Sequence, residues 1–360
     1  KEKRFKQPDS SILLAIKAIE ISGRANFKKG RAEAYNNSGV VYAWSKAEYD
    51  KAFRDFKKAL AIWKEINNRK GMSSVYGNLG ITYRFTDDYG KALEYQNKAL
   101  AIEKEQGREE DMAVSYTHIG ELNRLIGNYS EALDNYYKSL EMHEKLNSKK
   151  GIAQNLNNIG IIYSHQQNYE KAIEYFERSL KIKKELGQKH FIANTYGNMS
   201  NAYFDMGNYN KALEYINKTL EIDRESDNKR GIAYDLHSIG KIYSKKGNFD
   251  KALDNLSKSL DISEQIGSEN MISTNMNAIA SIHLDQNNYQ KALDYGKKSL
   301  NLAKSIGAKD RVVETSKLLF NTYEDMGDFK NAFDYQSLHM KYKDSVQNKE
   351  EAKLRETDQY

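Results

Sequence analysis

Residues 158–180 read NIGIIYSHQQNYEKAIEYFERSL, and residues 78–100, eighty positions earlier, read NLGITYRFTDDYGKALEYQNKAL. The two stretches place glycine, tyrosine, alanine and leucine at the same offsets. This agreement predicts a chain built from tandem copies of one structural unit, which can be checked by following single positions along the sequence.

The copies recur every forty residues. A column of small residues holds Gly80, Gly120, Gly160, Ser200, Gly240 and Ala280, with Gly39 one residue out of step and Phe320 as the last occupant. A second column, twelve residues later, is alanine throughout: Ala52, Ala92, Ala132, Ala172, Ala212, Ala252, Ala292 and Ala332. Eight alanines at a fixed period indicate a repeated close contact between elements.

Within each period the apolar residues follow helical spacing. Leu156, Ile159 and Tyr163 form one such face, and Ala172 and Phe176 begin the next, with the short polar stretch SHQQNYE between them. Each repeat is therefore predicted to be two antiparallel helices joined by a tight turn. The single proline in 360 residues agrees with many helices and short turns.

Composition excludes several classes of protein. The 56 basic and 50 acidic residues are mixed along the chain, which is typical of a solvated surface and not of a nucleic-acid-binding stripe. There is no cysteine, which excludes disulfide and thiol chemistry. No apolar run approaches the roughly 20 residues of a membrane span, so we expect no direct membrane insertion by these residues.

The order of residues within a repeat resembles the tetratricopeptide repeat, in a form lengthened to forty residues. Leu156, Ile159, Gly160 and Tyr163, followed by Ala172 and Phe176, match that pattern. This form resembles the arrays of kinesin light chains, of polarity adaptors of spindle orientation, of peptide-sensing bacterial regulators and of many bacterial sensor proteins. The resemblance implies an all-α fold, a right-handed α-solenoid (superhelix) whose neighbouring repeats supply each other's core.

The repeat register divides the chain into three parts. Residues 1–30 match the second helix of a partial repeat, residues 31–346 contain eight repeats, and residues 347–360 begin a charged connecting helix. Phe320 and His339 replace small residues of the last repeat, which is therefore expected to be atypical.

The resemblance places a binding groove along the first helix of each repeat. The expected groove residues are Asn36, Asn157, Asn194, Asn201, Tyr234, His237, Lys241 and Asn277. Asparagine is a poor helix former, yet it recurs in these helices. Its amide both donates and accepts, so it can pair with the backbone of an extended peptide whatever the peptide's sequence.

A structural role for the same asparagines stays open. The amides can bridge adjacent helices of the stack, above all in the column two residues before the glycines, which holds Asn37, Asn78, Asn158 and Asn198. In that case they would satisfy one another and leave little for a ligand.

Catalysis is not expected. The seven histidines do not occur at metal-ligand spacing, no glycine-rich phosphate loop is present, and no nucleophile, base and orienting group recur together. We therefore predict no metal, no cofactor and no enzymatic activity.

Two functions fit these observations. In the first, the solenoid captures a peptide or protein segment and is the input region of a larger bacterial signalling protein, whose output domain would be a histidine kinase, cyclase or transcription regulator. In the second, it is a scaffold or adaptor that assembles a multiprotein complex. Both the periplasm and the cytoplasm are open, and a membrane-sensor input region would favour the periplasm. The oligomeric state is left open.

Overall fold

A computed structural model describes the backbone of residues 8–357 and the side chains of residues 8–348, and all statements below concern these residues. They form seventeen α-helices and no strand. The helices of the first half are α1 (Pro8–Arg24), α2 (Lys28–Ser45), α3 (Tyr49–Glu65), α4 (Arg69–Phe85), α5 (Tyr89–Glu105), α6 (Glu109–Leu125), α7 (Tyr129–Lys145), α8 (Lys149–His165) and α9 (Tyr169–Glu185). Those of the second half are α10 (Lys189–Asp205), α11 (Tyr209–Glu225), α12 (Lys229–Lys245), α13 (Phe249–Gln265), α14 (Glu269–Asp285), α15 (Tyr289–Ser305), α16 (Lys309–Asp325) and α17 (Phe329–Thr357).

The chain divides into two compact units. One comprises the residues up to Ile162 together with those after Glu351, and the other is Tyr163–Glu351. In the first unit α2 packs on α3, α4 on α5 and α6 on α7; in the second, α10 packs on α11, α12 on α13 and α14 on α15. Consecutive pairs also contact each other within each unit. This arrangement of tandem helix pairs is the predicted all-α solenoid.

The first sixteen helices end at regular intervals, and each is followed two residues later by a residue with positive φ. Gly247 (φ 73°) follows α12, and Asn287 (φ 56°) follows α14. Glycine and asparagine adopt this left-handed conformation at low cost, and it closes the last helical turn. After these two turns the next helix starts at an asparagine, Asn248 or Asn288. Asn248 Oδ1 accepts from the Lys251 backbone N–H at 3.2 Å.

The small column lies where the two helices of a repeat approach closely, as predicted. A Cβ added to Gly240 on α12 would lie 2.7 Å from Leu256 Cγ and 3.1 Å from the Ala252 carbonyl oxygen, both on α13. Ala252 itself is fully buried. The two helices can therefore pack this closely only because Gly240 has no side chain. This explains a glycine within a helix, although it costs about 1 kcal/mol of helix stability.

The two helices of several repeats are joined by a hydrogen bond between residues that lie 26 positions apart in the sequence. The hydroxyl groups of Ser139, Ser259 and Ser299 donate to the carbonyl oxygens of Ala113, Ala233 and Ser273 at 2.7, 2.6 and 2.8 Å. His339 occupies the equivalent position in the last repeat, and its Nδ1 lies 2.9 Å from the Val313 carbonyl oxygen. In the last repeat the histidine thus makes the same contact between helices that these serines make in their own repeats.

Replacement of Ser259 by alanine tests this hydrogen bond. Ser259 is fully buried, and Ser259→Ala should lower the free energy of unfolding by about 1 kcal/mol, the usual net value of a buried hydrogen bond. Urea denaturation measures the change. The matched control is Ser305→Ala, because Ser305 is exposed and its hydroxyl donates to the Leu302 carbonyl oxygen of its own helix. Equal losses in the two variants would contradict a role for the bond between helices.

Ionisable side chains are buried where one repeat packs on the next. Glu103 Oε2 accepts from the Ser115 hydroxyl at 2.7 Å, and Lys183 Nζ donates to Thr195 Oγ1 at 2.7 Å. Burial raises the pKa of Glu103, and burial lowers the pKa of Lys183 to about 8. The two residues occupy the same position of the forty-residue period. In five successive repeats this position holds a different buried polar side chain: Glu103, His143, Lys183, Asp223 and Ser263.

One long helix ends the described part of the chain. α17 runs without a break over 29 residues from Phe329 to Thr357 and so enters the predicted connecting segment, of which residues 358–360 lie outside the described residues. The second helix of the last repeat and the charged segment are thus one helix, because no turn residue such as glycine or proline interrupts the stretch. None of the helices described by the structure is long and apolar enough to cross a membrane.

Candidate functional site

The second compact unit contains a cleft lined mainly by first helices of successive repeats, α10, α12, α14 and α16. It consists of two adjoining pockets of about 560 and 360 Å³. The two pockets share His237, Lys241, Thr274 and Arg311 in their lining. This volume is typical of a ligand site in proteins. We call the two pockets together the α10–α16 cleft.

Five of the predicted groove residues meet in this cleft. Asn201, Tyr234, His237 and Lys241 line the larger pocket, and Asn277 joins His237 and Lys241 in the smaller one. Tyr234 is 59% exposed, so its ring is available for contact. The repeat register brings these residues together because it places first helices side by side.

The other three predicted residues lie elsewhere. Asn194 is exposed on α10 but does not line the cleft. Asn157, half-buried on α8, belongs to the first compact unit. Asn36 also lies in that unit, where it lines a separate pocket of about 460 Å³ beside Trp63.

Some asparagines join helices, as the structural alternative predicted. Asn78 Nδ2 donates to Asn36 Oδ1 at 2.9 Å between α4 and α2. Asn155, which the sequence analysis did not single out, is fully buried and donates to Ser139 Oγ at 2.9 Å. Asn36 is therefore engaged in the stack as well as lining its pocket.

His237 is held in one orientation by a neighbouring repeat. Its Nδ1 lies 2.9 Å from Asn275 Oδ1, and Asn275 is fully buried. Burial lowers the pKa of His237 to about 4, although this hydrogen bond opposes the change. The ring is therefore neutral at pH 7, with the proton on Nδ1, and its Nε2 is a hydrogen-bond acceptor.

Asn277 has a buried polar atom without a partner. Its Oδ1 is inaccessible to solvent and makes no hydrogen bond within the part of the chain that the structure describes. A buried, unsatisfied amide oxygen costs about 1 to 3 kcal/mol, and such groups are uncommon in folded proteins. Asn277 lines the smaller pocket, so a rotation of its side chain would bring this oxygen within reach of a donor on a ligand there.

The cleft also contains two arginines that the sequence analysis missed. Arg230 lines the larger pocket and Arg311 lines both. They lie near the starts of α12 and α16, about nine or ten residues before the small column, and the groove positions implied by the resemblance do not include that turn. The unbroken repeat register could have placed both on the same side as Tyr234.

The two pockets differ in charge. The lining of the larger one holds Arg230, Lys241 and Arg311 and no carboxylate. The smaller one adds Lys245 but also Asp285 and Glu314. Glu314 forms an ion pair with Arg311 Nη1, while Arg311 Nε is buried and has no hydrogen-bond partner among the described residues. No group of three metal-ligating side chains occurs in that part of the chain.

Comparison with protein families identifies the repeat. The tetratricopeptide repeat model matches residues 30–105, 111–185 and 191–265, which is more than half of the chain. A model of anaphase-promoting complex subunit 5 matches residues 242–321. No curated protein is similar enough in sequence to count as a match.

Solved structures share the fold at low sequence identity. A signal-transduction ATPase with a tetratricopeptide repeat sensor from Pyrococcus horikoshii matches with a TM-score of 0.65 at 14% identity, over 95% of this chain and 54% of the other. A Rap protein complexed with Competence and Sporulation Factor gives 0.62 at 15% identity, over 94% and 98%. The Rap conjugation regulator of plasmid pLS20, in complex with the Phr* peptide, gives 0.60 at 14% identity, over 93% and 96%.

At these identities the solved structures establish the fold alone, whereas the family model covers most of the repeats directly. Its three matches fall on the same forty-residue register as the helix pairs of the structure. The chain belongs to the tetratricopeptide repeat family.

Proposed function

We propose that the chain is a non-catalytic module that binds a peptide or protein segment in the α10–α16 cleft. The observation that carries this proposal is the unpartnered Asn277 Oδ1 in a cleft that four successive first helices line. The cleft offers acceptors at Asn277 and His237, donors at Asn201 and an exposed ring at Tyr234. This combination suits the alternating donors and acceptors of an extended peptide backbone.

A further observation supports a binding role. Two proteins of similar fold contain bound partners, Competence and Sporulation Factor in one and the Phr* peptide in the other. We propose that residues 31–346 form the binding array of a bacterial signalling protein, with its output domain in the same full-length chain.

An assembly scaffold is the second candidate function. The match of residues 242–321 to a subunit of the anaphase-promoting complex favours it, because that subunit belongs to a multiprotein assembly. In this case the partner would be a folded protein, and short peptides alone would not bind the cleft.

Peptide selection tests the proposal. A displayed library of random peptides is enriched on the purified chain, and the affinities of the selected peptides are measured by fluorescence anisotropy. Asn201→Ala combined with Asn277→Ala should weaken binding about tenfold to a hundredfold, because each lost hydrogen bond is worth about 0.5 to 1.5 kcal/mol. Thermal stability should stay equal or rise, since the variant removes an unsatisfied buried oxygen.

The matched control is Asn255→Ala. Asn255 is a half-buried asparagine on the second helix α13, outside the cleft lining, and its amide donates to the Lys251 carbonyl oxygen at 2.8 Å. This control should bind like the original protein. If the control and the double variant lose affinity equally, or if no peptide competes at the cleft, the proposed function is wrong.

A further inference from the structure

We propose that the larger pocket of the α10–α16 cleft is an oxyanion site, which seats a carboxylate or phosphate group carried by the bound segment. The inference rests on the proposed function and specifies the chemistry of its ligand. The site is formed by Arg230 and Lys241 of α12 and Arg311 of α16. No family model or structural comparison assigns these residues a role.

The distribution of charge supports this site. Acidic and basic residues are nearly balanced in the whole chain, 50 against 56. Three cations and no carboxylate line the larger pocket. Among the described residues only Arg311 of the three is ion-paired, with Glu314 of the smaller pocket, so Arg230 and Lys241 have no carboxylate beside them in the lining. Like charges that converge in a cleft repel one another, and an anionic ligand relieves that repulsion.

Arg311 is the residue best placed to hold the anion. Its side chain is only 21% exposed, and Glu314 binds Nη1 and so fixes one edge of the guanidinium. The buried Nε–H has no partner among the described residues. A guanidinium binds carboxylate and phosphate through paired N–H donors, and the unsatisfied Nε–H is one donor of such a pair.

The neighbouring groups suit an anion as well. Lys241 Nζ lies 5.5 Å from the centre of the Phe204 ring, so the ammonium group is held at the pocket wall by an aromatic side chain. Arg230 is exposed on the first turn of α12. The neutral His237 adds no competing charge and can accept an N–H from the backbone beside the anion.

Three capped hexapeptides serve as probes. The first is hexaglutamine, the second has glutamate at its two central positions, and the third has one central phosphoserine. Affinities are measured by competition calorimetry at low and physiological salt. We expect the charged peptides to bind at least tenfold tighter than hexaglutamine, with affinity falling as salt rises. The tighter of the two charged peptides identifies the source of the oxyanion. Equal binding of all three would overturn the inference.

Variants then locate the site. Arg230→Gln combined with Arg311→Gln should reduce binding of the charged peptides at least tenfold. Lys229→Gln combined with Lys309→Gln removes the same two charges from the first residues of α12 and α16, outside the cleft lining, and should change binding less than threefold. Arg230→Lys combined with Arg311→Lys retains the charges and should recover part of the loss, which guards against a misfolded variant. An equal loss in the control pair, or no recovery with lysine, would contradict an oxyanion site.

The proposed function and the oxyanion site can fail separately. If library-selected peptides bind the cleft and are indifferent to the arginine variants, the module binds peptides but the oxyanion site is wrong. If no peptide of any charge competes at the cleft, the proposed function itself fails.

Discussion

Ala212→Leu should lower the free energy of unfolding by about 3 kcal/mol, which is the largest loss that we expect from a single substitution in this chain. Ala212 is fully buried on α11. The Ser200 hydroxyl of α10 donates to the Ala212 carbonyl oxygen at 2.9 Å, so the two helices are in direct contact at this point. A leucine side chain cannot fit there unless the helices separate.

The damage should be local. Each repeat of such an array contacts only its neighbours, so disruption of one pair loosens that pair and the adjoining ones. Hydrogen exchange should accelerate in α10, α11 and α12 and stay unchanged in α16. The control is Ala101→Leu, because Ala101 is an exposed helical alanine. Uniform acceleration over all helices, or an equal loss in Ala101→Leu, would contradict this interpretation.

Asp235→Asn should have the opposite effect and raise the free energy of unfolding at neutral pH. Asp235 on α12 is 5% exposed, as is Asp223 on α11. Burial, together with the charge of Asp223, raises the pKa of Asp235 to about 8. Asn228 Nδ2 donates to Asp223 Oδ1 at 3.0 Å, whereas Asp235 Oδ2 has no hydrogen-bond partner among the described residues. The interface thus favours the protonated form of Asp235.

The sign of the pH dependence follows from proton binding. An aspartate in the unfolded chain has a pKa of about 3.9. Between about pH 4 and pH 8 the folded protein retains the proton that the unfolded chain releases, so stability falls as the pH rises through this range. Asparagine does not titrate. The variant should therefore match the original protein near pH 4 and exceed its stability at pH 7 by about 2 to 4 kcal/mol.

Denaturant titrations at pH 5, 6, 7 and 8 measure this difference. Asp250→Asn is the control, because Asp250 is exposed in the first turn of α13 and its replacement removes the same charge. The stability gain should grow with pH in Asp235→Asn and not in the control. A gain that is constant with pH, or a loss at pH 7, would show that Asp235 is not a buried protonated group.

The sequence predicted the helix pairs, their forty-residue register and the columns at their contacts. Helical periodicity and turn residues are local signals. Because they recur in every repeat, each repeat tests the same prediction again. The contact at Gly240, the buried Ala252 and the positive φ of Gly247 all agree with that pattern. The register also sufficed to bring Asn201, Tyr234, His237 and Lys241 into one cleft.

Only the tertiary structure decided what each polar residue does. Asn36 and Asn277 occupy the same column, yet Asn36 accepts a hydrogen bond from Asn78 while Asn277 Oδ1 has no partner among the described residues. Their hydrogen bonding differs because the residue that faces them on the neighbouring helix changes from repeat to repeat. The convergence of Arg230 with Arg311, and of Asp223 with Asp235, likewise joins residues of different repeats. Periodicity within one repeat describes a helix face, but burial, partners and charge depend on which side chain the neighbouring repeat places opposite it.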